Sequence, residues 1–349
     1  AVLANVRPNN SMDMFLLNDM KLRNSKGTSF INYLSDPNLS EKNVKFKTIC
    51  IFLMICCVPL LGQEEIRFQI KQVIPIKTPD GNNVTQINSV CVTPLREVYM
   101  TESSGHRVLR MNTEGQMLGL FGGLGWSGEM LDYPTGITSH DGLNLYVADM
   151  NNQRIVRLNR RLEWVASIGG HNLDYSGQES VHSVAYPLSL TQSKQGDLFY
   201  ISQATNRVYK VNSVTGTITE WNSFTAGGGY LDDPKQIVIG KKNLFIKDRT
   251  GVKIFDIFGN YIRTINDTFF SANLLLSADE QDRVLIWDDD KKSLTIWNAE
   301  GQRVTLTIAF AFENPTAMTC FGHSLWIVDQ SSTVGESKLY QIEITEESR

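Results

Sequence analysis

One phrase recurs six times along this 349-residue chain, and nothing else in the sequence constrains the fold as tightly. Its clearest copy is LYVADMNNQRIVRL, from Leu145 to Leu158: an apolar run, a carboxylate at the turn, and a cation opening a second apolar run. The others read VYMTESSGHRVLRM from Val98, LFYISQATNRVYKV from Leu198, LFIKDRTGVKIFDI from Leu244, VLIWDDDKKSLTIW from Val284 and LWIVDQSSTVGESKLYQI from Leu325. Equivalent turn positions are Glu102, Asp149, Ser202, Asp248, Asp288 and Asp329, at successive steps of 47, 53, 46, 40 and 41 residues. These steps match the period of about 40 to 50 residues expected of four-stranded propeller blades. Five residues after the turn position come Arg107, Arg154, Arg207 and Lys253, whereas Ser293 breaks the pattern and an insertion precedes Lys338.

Each unit repeats one internal order, which the second shows best. Pro134 to Ile137 open a first strand, LNLYVAD forms a second, RIVRL a third and LEWVASIG a fourth that ends in Gly169 and Gly170. Short strands separated by turn chemistry such as Asp141-Gly142 predict an antiparallel meander. One such sheet cannot bury both faces alone, so neighbouring sheets must stack around an axis. The predicted fold is therefore all-β, a six-bladed β-propeller of four-stranded antiparallel blades. Its last unit stops after a third strand, LYQIEI, and the chain ends in TEESR. Near the start, IRFQIKQVI from Ile66 alternates Ile66, Phe68 and Ile70 with Arg67, Gln69 and Lys71, the pattern of a half-buried strand. This N-terminal strand is expected to complete blade six from outside and remove an open sheet edge.

LYVADMNNQRIVRL, the preceding YPTGI and the following SIGG resemble the NHL repeat, and the spacer GGLGWSGEMLDYP resembles that family's glycine-rich blade connections. The resemblance covers roughly Asn88 to Ile344, strongest in the second unit and weakest in the last three. It implies a six-bladed propeller of the exported bacterial type. It implies no reaction, because one fold hosts many functions.

Residues 1–62 read as separate from the propeller, which is assigned to residues 63–349. Lys42, Lys45 and Lys47 precede an apolar run from Thr48 to Leu61, with Gly62 ahead of Gln63. Residues 41–62 thus read as a secretory signal peptide. The run is shorter than the 18 or so apolar residues needed to cross a bilayer, so no stable membrane span is expected after processing. Residues 1–40 are polar and rich in Asn and Ser, and read as an upstream extension or a disordered arm. The predicted location is periplasmic or extracellular.

Residues 1–62 hold 7 of the 33 Lys and Arg and 4 of the 37 Asp and Glu, so the remainder carries 26 cations against 33 anions, a net charge of −7. That opposes nucleic-acid binding, where affinity comes mainly from neutralising backbone phosphates. Cys50, Cys56 and Cys57 leave with the signal, and Cys91 and Cys320 remain in the first strands of blades that closure makes neighbours. Free thiols or a bridge are both open, since a disulfide requires Cα atoms within about 7 Å.

For chemistry, Glu102, Asp149, Asp248, Asp288 and Asp329 should ring one face, where second-to-third-strand turns and blade connections open together. A cation or carbohydrate site is one reading. Turn acceptors for backbone N–H groups is the other, and repetition in nearly every blade favours it. The same argument makes Arg107, Arg154 and Arg207 bracing partners. His106, His140, His171, His182 and His323 show no metal-ligand spacing, and no Ser-His-Asp signature, glycine-rich phosphate loop or CxxC occurs. No cofactor is predicted.

Specificity on a rigid scaffold usually resides in loops. Trp126, Tyr175 and Phe224 fall in successive blade connections on the acid-bearing face and are the candidate binding residues, whereas Tyr133 and Tyr230 read as packing near blade starts. Trp164, Trp221, Trp287, Trp297 and Trp326 lie in strand patterns and read as inter-blade core. The expected function is an exported, monomeric binding or scaffold module for a protein or glycan partner. The alternative is a lactonase-like or amidating-lyase-like propeller enzyme with calcium or zinc in its central channel, which would need His, Glu, Asn or Asp ligands to converge there.

Overall fold

The computed structural model describes residues 65–170, 184–221, 227–265, 270, 271, 273–304, 308–331 and 335–347. All fall within a unit spanning residues 64–348. Among the described residues every regular element is a strand. Blade one comprises β1's successors in the chain, and β1 itself (Glu65–Ile76) belongs to blade six. In order outward from the axis, blade one is β2 (Ile87–Val92), β3 (Glu97–Glu102), β4 (Arg107–Asn112) and β5 (Met117–Gly122). Blade two is β6 (Pro134–Thr138), β7 (Asn144–Asp149), β8 (Arg154–Asn159) and β9 (Trp164–Gly169). Blade three is β10 (Pro187–Gln192), β11 (Leu198–Ser202), β12 (Arg207–Val211) and β13 (Ile218–Glu220). Blade four is β14 (Gln236–Ile239), β15 (Asn243–Asp248), β16 (Gly251–Asp256) and β17 (Tyr261–Ile265). Blade five is β18 (Leu274–Ala278), β19 (Val284–Asp288), β20 (Ser293–Trp297) and β21 (Ile308–Ala309). Blade six is β22 (Pro315–Phe321), β23 (Ser324–Gln330), β24 (Ser337–Glu347) and then β1.

The six inner strands contact one another in a closed ring, β2 to β6, β10, β14, β18, β22 and back to β2. This is the six-bladed propeller that the repeat spacing predicts, and its closure is the expected one. β1 runs antiparallel to β24, pairing Phe68 with Ile344 and Ile74 with Leu339. The pairing contains a detail that alternation did not show. A bulge between Ile70 and Gln72 shifts the register by one residue, and a one-residue shift moves every later side chain to the other face. Before it, Ile66 and Phe68 pack on the core between blades five and six; after it, Ile74 and Ile76 are buried between blades six and one. Ile70 itself, expected on the buried face, is exposed at this crossing point.

Six apolar clusters fill the six gaps between blades. Adjacent residues on a second strand serve opposite gaps: Val98 and Met100 face blade six, while Tyr99 between them faces blade two. Such strands are buried on both sides, which accounts for their near-continuous apolar sequences. The tryptophans divide. Trp287 and Trp326 are buried, and Trp221 stands edge-on to Phe199 and Phe255 with ring centroids 5.5 Å from each. Trp297 packs on Phe270 at 5.9 Å. Trp164 does not join the core as expected: it opens the outer strand β9 and is 45 % exposed.

Adjacent inner strands belong to different sheets, so polar side chains link them across the gaps. Ser89 Oγ accepts the Ile137 N–H at 3.3 Å, Ser189 Oγ the Ile237 N–H at 3.2 Å, and Gln236 Oε1 the Leu276 N–H at 2.9 Å. Asn88, Thr135 and Lys247 donate to the first carbonyl of the next inner strand, those of Pro134, Pro187 and Leu274. These bonds satisfy backbone groups that no ladder reaches.

Candidate functional site

Two places on the propeller combine exposure with chemistry, at opposite ends of the channel. The first is the face where second-to-third-strand turns and blade connections meet. The turn acids lie there as expected, but buried rather than displayed: Glu102, Asp149, Asp248, Asp288 and Asp329 are each at most 7 % exposed. Their backbone donors come chiefly from the connection that begins the same blade, some 15 to 17 residues upstream. Asp149 Oδ1 accepts the Asp132 N–H at 2.7 Å, Asp248 Oδ2 the Asp232 N–H at 3.1 Å, and Asp329 the N–H groups of Glu313 and Asn314. Asp248 and Asp288 also bind their own turns through the N–H groups of Thr250 and Lys291. Burial alone would raise the Asp288 carboxyl, but hydrogen bonds from Ser271 and Lys291 hold it below the usual range. In blade three Ser202 reverses the polarity, its Oγ donating to the Ala185 carbonyl at 2.6 Å.

The cations follow the acids. Arg107 pairs with Glu102, Arg154 with Asp149 at 2.7 Å and Lys253 with Asp248 at 3.4 Å. Arg207, facing a serine, pairs instead with Glu220 on β13. Arg154 does more than brace its turn. Its Nη1 donates to the Trp126 carbonyl at 3.1 Å, and its Nη2 to the carbonyls of Ser127 and Met130 at 2.8 and 2.6 Å. Asn152 adds a bond to the Gly125 carbonyl at 2.8 Å.

This buried arginine fixes the connection between blades one and two, and the fixed loop presents Trp126 at 84 % exposure. Leu124, Met130 and Tyr133 of the same connection are also exposed, and Gly128 lies over the Trp164 ring, where a Cβ would stand 3.4 Å from it. Tyr133 and Tyr230, expected to pack, are both exposed. The Tyr133 N–H donates to His106 Nδ1 at 3.0 Å. Of the three candidate aromatics, Trp126 is therefore displayed; Tyr175 and Phe224 lie outside the described residues, as do His171 and His182.

The second place is the other end of the channel, a cavity of about 270 Å³ where the six turns after the inner strands converge. Its rim includes Pro94, His140, Lys194, Gly240, Glu280 and Gly322. Cys91 and Cys320 contribute to its wall, and burial pushes both thiols up to about 12. They are free, and they serve different gaps: Cys91 packs between blades one and two, Cys320 against the core between blades five and six. Among the described residues no three His, Cys, Asp or Glu side chains lie close enough to hold a metal ion. The buried acid nearest the channel, Asp279, accepts the Gln281 and Arg283 N–H groups and pairs with the Arg283 guanidinium at 2.7 Å. Sequence reading missed this end because its polar rim residues, His140, Lys194 and Glu280, belong to turns of three different blades.

No family model and no curated protein matches the chain. Solved structures do match in fold. Virginiamycin B lyase from Staphylococcus aureus superposes with a TM-score of 0.53 at 12 % identity, over 80 % of this chain and 100 % of that one. A streptogramin B lyase gives 0.52 at 10 % identity, over 82 % and 99 %. A gluconolactonase from Xanthomonas campestris gives 0.52 at 12 % identity, over 79 % and 99 %. These likenesses establish the class, a six-bladed β-propeller whose solved neighbours include lyases and a lactonase. The NHL resemblance remains one of repeat pattern.

Proposed function

We propose that this chain is an exported binding module that recognises a protein or glycan partner through the face bearing its blade connections, with Trp126 as the principal contact. The observation that carries the reading is the pairing of an exposed indole with a loop held by a buried guanidinium. A free loop would lose conformational entropy on binding, whereas a loop already fixed by four hydrogen bonds to Arg154 and Asn152 loses little. Tryptophan is also enriched among residues that dominate binding energy. Export is supported by the apolar run that follows Lys42, Lys45 and Lys47. The acidic balance of residues 63–349 disfavours nucleic acid as the partner. No helix among the described residues is long and apolar enough to cross a membrane.

The test is affinity capture from an exported fraction together with a glycan array, each run with wild type and Trp126→Ala. Loss of about 2 kcal/mol or more of partner affinity with unchanged unfolding supports the reading. Equal binding by both proteins overturns it.

A second reading, a lyase or lactonase acting at the channel, is favoured by the fold neighbours named above. Under it the groups to seek are calcium or zinc. A stoichiometric ion retained by the purified protein through dialysis would favour this reading over the first.

A further inference from the structure

The cavity at the far end of the channel is unlike the Trp126 face, and its rim carries charges of opposite sign on different blades. The ring order of inner strands sets β6 across the axis from β18. His140, which follows β6, therefore lies across the mouth from Glu280, which follows β18, and Lys194, which follows β10, lies beside His140 and two blades from Glu280.

We propose that this cavity binds a small zwitterion of the α-amino acid class, its carboxylate toward Lys194 and His140 and its ammonium toward Glu280. This site is separate from the partner-binding face, and the inference does not depend on that reading.

Three observations support it. The volume, about 270 Å³, lies just below the range of roughly 300 to 1,000 Å³ typical of drug-sized ligands, so it suits a smaller molecule. The one carboxylate in the wall, Asp279, is paired with Arg283; Cys91 and Cys320 are neutral thiols, and Thr138, Ser139, Thr191, Ser277 and Thr319 offer uncharged hydrogen-bonding groups.

The third observation is which charges remain available. Four other carboxylates at this end are already occupied by protein groups. Glu97 takes Arg110 and Arg160, Asp197 takes Lys210, Asp279 takes Arg283, and Asp282 accepts the N–H groups of Lys242 and Asn243. Arg283 spends its Nη1 on Glu346, 2.6 Å away on β24. Among the described residues Lys194 and Glu280 form no ion pair, and the His140 ring makes no hydrogen bond. An exposed lysine and an exposed glutamate two blades apart on the rim of one polar cavity offer one group to each charge of a zwitterion. Charge complementarity of this kind mainly confers selectivity.

Isothermal titration of the full chain with the protein amino acids, one at a time at millimolar concentration, tests the inference. At least one is expected to bind with one site per chain. Its amide, which lacks the carboxylate, and its N-acetyl derivative, which lacks the ammonium, should each bind at least roughly tenfold more weakly. Lys194→Gln and Glu280→Gln should weaken it to a similar degree without changing thermal unfolding. Absence of binding by every amino acid overturns the proposal. So does a binder whose amide and N-acetyl derivatives keep its affinity, or one unaffected by both substitutions.

Discussion

Arg154 and Asp149 form a buried ion pair, Nε to Oδ2 at 2.7 Å, that ties the turn of blade two to the connection arriving from blade one. Asp149 holds the Asp132 N–H while Arg154 holds the carbonyls of Trp126, Ser127 and Met130, so one pair fixes both ends of the loop. Removing either partner leaves the other buried and unpaired. Arg154→Met is therefore expected to cost about 3 to 5 kcal/mol in denaturant unfolding. The 123–133 connection should also become a site of limited proteolysis. Arg154→Lys keeps the charge but has no planar fork to reach four acceptors, and should fall between.

The Glu97 carboxylate links blades one and two at the opposite end of the sheets. Burial opposes its charge, but Arg160, Arg110 and the Tyr99 hydroxyl prevail and bring its pKa down to about 2. A folded pKa below the unfolded one means stability that is present above the unfolded value and lost as pH falls. The window lies between the usual glutamate value of about 4.3 and about 2, and the shift corresponds to roughly 3 kcal/mol. Glu97→Gln should lower stability at neutral pH by about that amount and flatten the acid limb. Chemical denaturation at a series of pH values measures both.

Strand β1 closes the ring, and its loss would leave the eleven residues of β24 as an open edge. Deleting residues 65–76 also removes Ile74 and Ile76 from the core between blades six and one. Thermal unfolding should become broader and shift to lower temperature. The deletion variant should self-associate in light scattering; a monomer with native-like unfolding would refute this role.

Gly122 ends β5 at a φ of 106°, and a Cβ there would come within 2.7 Å of the His106 carbonyl oxygen. Both the backbone conformation and the close approach require glycine. Gly122→Ala is expected to destabilise by about 1 to 3 kcal/mol. Trp126→Ala, by contrast, should change stability by less than about 0.5 kcal/mol, since the indole is mostly in solvent. Parallel denaturation curves of the two variants separate a structural residue from a displayed one.

The repeat itself determined the architecture. Its six copies set the number of blades, its period and turn chemistry set the four-strand meander, and the incomplete last unit required an outside strand that IRFQIKQVI supplies. These are local patterns or counts along the chain, and a sequence carries them directly. Tertiary structure decided what depends on groups distant in sequence. The turn acids read as acceptors for their own turns, yet their partners include N–H groups in the preceding connections, because closing the meander folds that connection back over the turn. Trp164 has the strand context of a core residue but sits at an outer-strand start, where no next strand covers it. The bulge after Ile70 is one residue of register, which sends Ile74 into a different core from Ile66 without altering the alternation seen in the sequence. Cys91 and Cys320 are on adjacent inner strands, but each packs into the gap on its own far side, away from the other. The channel mouth is the extreme case. His140, Lys194 and Glu280 come from three blades and share no motif, and only the closing of the ring gathers them around one cavity.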